Sequence, residues 1–220
     1  MTLVGALAAC SKMNDNIDQY LSQGEIIYIA KPDSVHLFAG KERFKMEFWI
    51  RDPRATELVV YWAQKTASVS VPLEKGRNMD DGIVLFVDKD IAEGQHALVL
   101  ISKDQFGNTS VPDEENVSVY GDIFQASLVN RLVDSKSVSG NKVTINWGNC
   151  YSLQETGIQV WYTDTAGVEQ TVVFPTAEMG ASTVISNVDV TKEMNYSTLY
   201  LPEPTAIDTF STPATAIPLT

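Results

Sequence analysis

The chain has 220 residues, with 28 Asp and Glu against 16 Lys and Arg, giving a formal net charge of −12. That balance excludes nucleic-acid binding as a class, because nothing here would displace counterions from a phosphate backbone. Two cysteines, Cys10 and Cys150, exclude a disulfide-dense scaffold, so stability must come from ordinary cores.

The first element in chain order is "LVGALAAC", residues 3 to 10. It is too short for a core helix, which needs about 10 to 12 residues, or for a membrane span of about 20. Leu7-Ala8-Ala9-Cys10 instead matches the bacterial lipobox, in which a peptidase cuts before the cysteine and the thiol carries a diacylglyceryl group. Small residues precede the cut because the peptidase pocket admits little else. Residues 1 to 9 are therefore expected to be a signal-peptide remnant, although no basic residue precedes Leu3, and Cys10 the lipid attachment; the competing reading is a buried strand ending in a core cysteine. Residues 10 to 24 follow as a polar tether, with a short helix around Ile17 to Leu21 as the alternative. No later run reaches the length of a span, so the expected membrane anchor is lipid only.

Strands dominate the rest. In "RFKMEFWIRD", Phe44, Met46, Phe48 and Ile50 alternate with Lys45, Glu47 and Trp49, the period of two that a half-buried strand requires. "ELVVYWAQ", "SVSVPL", "GIVLFVDKD", "GQHALVLISKD" and "NVSVY" follow, separated by Asp52-Pro53, Asp81-Gly82, Glu93-Gly94 and Gly107-Asn108. Short strands at this spacing predict an all-β sandwich or barrel. Asp80, Asp81, Asp113, Glu114 and Glu115 fall in turn-like stretches and read as solvated charge.

The second half repeats the first. "KVTINWGNCYSLQETGIQVWYTD" lies over "RFKMEFWIRDPRATELVVYWAQ", matching Phe48 to Trp147 at an offset of 99 and Leu58, Val60 and Trp62 to Ile158, Val160 and Tyr162 at 100; further on, His96 matches Tyr196. A period of this length predicts two copies of one domain, residues 25–120 and 121–220, rather than a solenoid. The junction "GDIFQASLVNRLVDSKSVSGNK" reads two ways, Phe124, Leu128 and Leu132 at helical spacing or Leu128, Asn130 and Leu132 alternating as a leading strand. The strand reading is preferred, by analogy with "EIIYIAKPDSV" in the first copy. The tail "STPATAIPLT" is either a last strand or loose.

A strand ending in a core aromatic, a strand of Ile158, Val160 and Tyr162, and a later tyrosine, Tyr196, together resemble the fibronectin type III fold; Phe48, Leu58, Val60 and Trp62 carry the likeness in the first copy. His96 replaces the expected tyrosine there, which puts the corner hydrogen bond in question, although an imidazole can donate to a carbonyl. The expected architecture is two tandem immunoglobulin-like, fibronectin type III-like β-sandwiches. The lipobox, "YIAKPDSV" and "LYLPEPTAIDTF" also resemble Bacteroidetes lipoproteins that accompany polysaccharide-utilisation systems, which implies an outer-membrane address on the cell surface or the periplasmic face.

Chemistry is sparse. The two histidines, His36 and His96, belong to no zinc motif, and neither a nucleophile elbow nor a phosphate loop is present. No catalytic residue, metal or cofactor is expected, and Cys150, without a histidine close in sequence, reads as an inert thiol. If Leu58, Val60 and Trp62 point inward, Tyr61 points out; by the same alternation Trp161 and Gln159 point out beside Ile158, Val160 and Tyr162, and Trp49 is outward in its own strand. Exposed aromatic planes beside amides and acids suit stacking on sugar rings, so Tyr61, Trp161, Trp49 and Gln159 are the candidate ligand-binding residues. Coverage by cross-strand neighbours or burial between the domains is the competing explanation. The expected function is that of a non-catalytic, lipid-anchored spacer or interaction module with partner envelope proteins, the alternative being polysaccharide capture.

Overall fold

A computed structural model describes residues 27–150 and 152–219. Cys10, the expected leader and the tether lie outside the described residues. The first copy contains seven strands: β1 (Ser34–Ala39), β2 (Phe44–Trp49), β3 (Ala55–Trp62), β4 (Ala67–Pro72), β5 (Ile83–Val87), β6 (Gly94–Asp104) and β7 (Asp113–Val119). They form two antiparallel sheets, β1-β2-β5 and β4-β3-β6-β7. The alternation read in the sequence decides which side chains meet between them. Phe44, Met46 and Phe48 of one sheet, and Leu58, Val60, Leu98 and Leu100 of the other, are wholly buried in one cluster.

After helix α1 (Asp122–Ser127), the same plan recurs in β8 (Val133–Ser139), β9 (Lys142–Trp147), β10 (Glu155–Thr163), β11 (Glu169–Pro175), β12 (Ser182–Ile185) and β13 (Met194–Tyr200), closed by β14 (Phe210–Ser211) and β15 (Thr215–Ile217). The sheets are β8-β9-β12 and β11-β10-β13, with β14 and β15 both pairing β13, so the tail "STPATAIPLT" contributes strand pairing. A second core gathers Val143, Ile145, Trp147, Ile158, Val160, Met194 and Tyr196.

Registers make the repeat quantitative. Val60 faces Leu100 and Val160 faces Tyr196; Leu58 faces Ser102 and Ile158 faces Thr198. The bulges coincide too, at Ala55/Glu57 and at Glu155/Gly157. These pairings correct the match of His96 to Tyr196: the structural counterpart of Tyr196 is Leu100. His96 places Nε2 2.7 Å from the Ala92 carbonyl, a local corner contact, whereas Tyr196 donates its hydroxyl across the sandwich to the Arg131 carbonyl at 2.8 Å. A sequence overlay of short alternating strands cannot detect a slip by an even number of residues, because inward positions still fall on inward positions.

Three expectations about elements change. The leading segment is not paired as a strand before Ser34: Ile29 N and Ala30 N bond the Thr109 carbonyl (3.5 Å) and Asp52 Oδ2 (2.9 Å) instead of a neighbouring strand. Asp113, Glu114 and Glu115 are not in a turn but open β7, opposite Leu100, Val99 and Leu98; acids on a sheet edge discourage pairing with another chain. The junction is helical at its start, as Phe124's spacing allowed, and residues 128–132 carry no strand. The reason is a long-range cap, since Glu93 accepts the Ile123 and Phe124 amides, each at 2.7 Å.

The two copies touch. Asp208 accepts the Arg43 guanidinium twice (2.9 and 2.6 Å) and the Lys41 amide (2.8 Å), while Ile207 N donates to the Ala39 carbonyl at 2.8 Å. Tyr120, Phe124 and Phe210 pack edge to face between them, with ring centroids 5.0 to 6.4 Å apart. Gly40 is required at this seam, because a Cβ there would approach Asp208 Oδ2 to 2.6 Å and the Arg43 carbonyl to 3.0 Å.

Candidate functional site

Trp49 ends β2 on the outer face of β1-β2-β5, as alternation predicts. Its ring is occupied, however: Nε1 donates to the Asp80 carbonyl at 3.2 Å, His36 meets it edge-on with centroids 5.6 Å apart, and Gly82 lies so close that a Cβ would reach Cζ2 at 2.7 Å. The neighbouring ring faces on this sheet are covered by cations. Lys45 Nζ lies 4.0 Å from the Phe38 centroid and pairs with Glu47 at 2.8 Å, and the Arg43 guanidinium lies 5.8 Å from the Phe86 centroid. Cross-strand coverage, the competing explanation for an outward aromatic, therefore describes Trp49.

Tyr61, in β3, is half-buried between Ser68 and Val99 on the outer face of β4-β3-β6-β7. Trp161 and Gln159 share the outer face of β10. Trp161 is flanked by Thr171 and Asn195, and Gln159 by Val173 and Ser197. A shallow recess of about 180 Å³ adjoins Trp161, lined also by Thr163, Glu169 and Glu193. Trp49, Tyr61 and the Trp161–Gln159 pair thus occupy three separate faces, and only the last two are brought together. The carboxylates and Asn195 of the recess went unnoticed in the sequence, because β10, β11 and β13 must be paired before they converge.

Cys150 is half-buried and donates Sγ to the Ser152 carbonyl at 3.2 Å; burial pushes its thiol pKa up, away from nucleophilic reactivity. Arg131 and Glu155, 3.1 Å apart, form the most buried ion pair among the described residues, and both also bond neutral groups: Arg131 Nε the Gly148 carbonyl, Glu155 Oε1 the Thr176 hydroxyl. Among the described residues no group of three or more His, Cys, Asp or Glu could hold a metal ion, and no helix is long and apolar enough to cross a membrane.

A three-stranded sheet facing a larger one, of four strands in the first copy and five in the second, defines the class: a tandem of fibronectin type III-like β-sandwiches. A family model described as a domain of unknown function, DUF4998, matches residues 10–210, and the chain belongs to that family. No curated protein matches. Among solved structures, the chain is similar to the chicken CNTN1 FN1-FN3 domains at 12% identity and a TM-score of 0.45, covering 86% of this chain and 64% of that one. It is also similar to a two fibronectin type III domain segment of chicken tenascin, at 13% identity and a TM-score of 0.32, covering 86% and 98% of the respective chains.

Proposed function

We propose that the protein is a non-catalytic, lipid-anchored envelope module, attached through Cys10 at the outer membrane, whose two sandwiches act as a stiff spacer carrying an interaction surface away from the lipid. The observation that supports stiffness is the junction: a doubly bonded Arg43–Asp208 pair, a backbone bond from Ile207 to Ala39, a helix capped from the other copy by Glu93, and three packed aromatic rings. A seam held at that many points resists the bending that a bare linker permits. The fold itself is typically non-catalytic. Small-angle scattering of the wild type and of an Asp208→Ala, Glu93→Ala double variant tests the spacer role. A single extended particle that becomes an ensemble of bent ones in the variant agrees with it, and equal flexibility in both rejects it. Mass spectrometry of native material tests the anchor at Cys10.

A second reading, polysaccharide binding, is favoured by the Trp161 recess, where an indole flank stands beside Gln159, Asn195, Thr171 and two carboxylates. Sugars offer a C–H face to the ring and hydroxyls to such groups. Retention on a polysaccharide affinity gel that disappears in Trp161→Ala supports it. Unchanged migration across a broad glycan panel counts against it.

A further inference from the structure

The two copies use the same loop differently. In each, the last long strand and the strand after it are joined through a hydroxyl: Ser110 Oγ accepts the Ser102 amide at 3.0 Å, and Thr212 Oγ1 accepts the Thr198 amide at 2.9 Å. The returning backbone bonds, Ser110 N to Ser102 O and Thr212 N to Thr198 O, measure 3.0 and 3.1 Å. These pairs mark residues 103–109 and 199–211 as equivalent segments, whose loops are 105–109 and 201–209. In the second copy that loop is an interface, because it supplies Ile207 and Asp208 to the neighbouring sandwich. In the first copy no hydrogen bond or ion pair among the described residues joins it to the second sandwich, and it carries Phe106 at 80% exposure.

That phenyl is held out rather than left loose. Asp104 Oδ1 accepts the Phe106 and Asn108 amides, each at 2.9 Å, Asp104 Oδ2 accepts the Asn108 side-chain amide at 2.7 Å, and Gly107 supplies the required φ of +87°. The same turn recurs at Asp164, where Oδ1 accepts the Ala166 and Val168 amides and Gly167 has φ +82°. Ala166 occupies the place of Phe106, so the turn does not need an aromatic side chain. Phe106 borders a groove of about 430 Å³ with Ile27, Leu73 and Pro53; Lys75 and Asp104 also line it, and its Arg54 is paired with Asp52 at 2.8 Å. Ile27 and Tyr28 beside it are about half exposed.

We propose that this end of the first sandwich rests on the membrane surface, with Phe106 and Ile27 entering the interfacial region and Lys75 meeting a lipid phosphate. The inference rests on the lipid-anchored reading. Ile27, at the groove, is separated from Cys10 by sixteen residues, a length of chain that spans at most about 55 to 60 Å and holds this end near whatever Cys10 is fixed to. Apolar side chains beside a long basic one, which can keep its charged head in water, are a combination that partitions into a lipid interface. With the chain tethered there, even a weak affinity is enough for contact.

The test compares Phe106→Trp with wild type, acylated and reconstituted in phosphatidylethanolamine/phosphatidylglycerol vesicles containing brominated lipid. The emission added by the new indole should be strongly quenched, while the emission common to both proteins is not. Unquenched added emission with Cys10 acylation confirmed by mass overturns the proposal and leaves the anchor standing. The full chain carrying Cys10→Ser is the second arm. It should sediment weakly with the same vesicles, and Phe106→Asp should lower that fraction several-fold. If Cys10 proves unacylated, the anchor reading fails, and this arm alone decides whether the surface binds lipid.

Discussion

The two sandwiches within this chain serve as controls for each other. They share their strand orders, their bulges and their hydroxyl pairs, so those features are what the fold requires. They differ in what closes the ends and what covers the faces. The second copy holds its interior with the buried Arg131–Glu155 pair, whereas the first uses Arg77, whose guanidinium donates to the carbonyls of Ile50, Asp52 and Ala55. On the outer face of β1-β2-β5 stand His36, Phe38, Lys45, Glu47, Trp49, Val84 and Phe86, while β9 and β12 of the second copy present Thr144, Asn146, Ser182 and Val184. An aromatic outer face is therefore dispensable for folding, and its presence in one copy is a property of that copy's surroundings.

Breaking the comparison begins with the charges. Glu155→Ala strands the Arg131 guanidinium and should cost about 3 to 5 kcal/mol, whereas Arg77→Ala, which frees only carbonyls, should cost about 1 to 3 kcal/mol. Denaturant unfolding followed by amide exchange should show the first loss in β9–β13 and the second in β2–β6. Equal losses in both copies would overturn the distinction.

The hydroxyls sharpen it next. Thr198 Oγ1 accepts the Arg131 amide at 2.8 Å, while the buried Ser102 Oγ has no partner among the described residues. Thr198→Val should destabilise by about 1 to 3 kcal/mol, and Ser102→Ala should be neutral or slightly stabilising. Chemical denaturation of the two variants checks this, and a clear loss from Ser102→Ala contradicts it.

The smallest effect concerns acid, where the same turn at two different connections should respond alike. Hydrogen bonds from the Asn108 side chain to Asp104, and from the Val168 amide to Asp164, hold both carboxyl pKa values below the ordinary range. Each therefore adds stability that is complete above the unfolded value of about 3.9 and is lost as pH falls through the depressed folded value. Asp104→Asn and Asp164→Asn should each flatten the pH dependence of unfolding below pH 4, leaving it unchanged near neutrality.

How much of this was legible in the sequence follows from the range of the forces involved. Strand β6 coincides with "GQHALVLISKD" end to end, and the inward residues of β2, β3 and β10 are those that alternation selects, because a period of two is a local property. The helix at Asp122 is not legible locally, since its cap comes from Glu93 in the other copy. The three acids of β7 resembled a turn because an edge strand tolerates charge on both faces. The outward direction of Trp49 is readable, but its coverage is not, since Gly82 and the Asp80 carbonyl both arrive from the loop before β5.

The paired hydroxyls have an engineering consequence. Between Ser102 and Ser110 the chain runs seven residues, and between Thr198 and Thr212 it runs thirteen, yet the staple geometry is the same to 0.1 Å. Nearly doubling a flexible loop costs only about 0.6 kcal/mol in closure entropy. The clamp thus insulates the sandwich from whatever is spliced between its jaws, and a foreign peptide grafted after Gly107, beyond the end of β6, should be displayed without disturbing either half of the molecule.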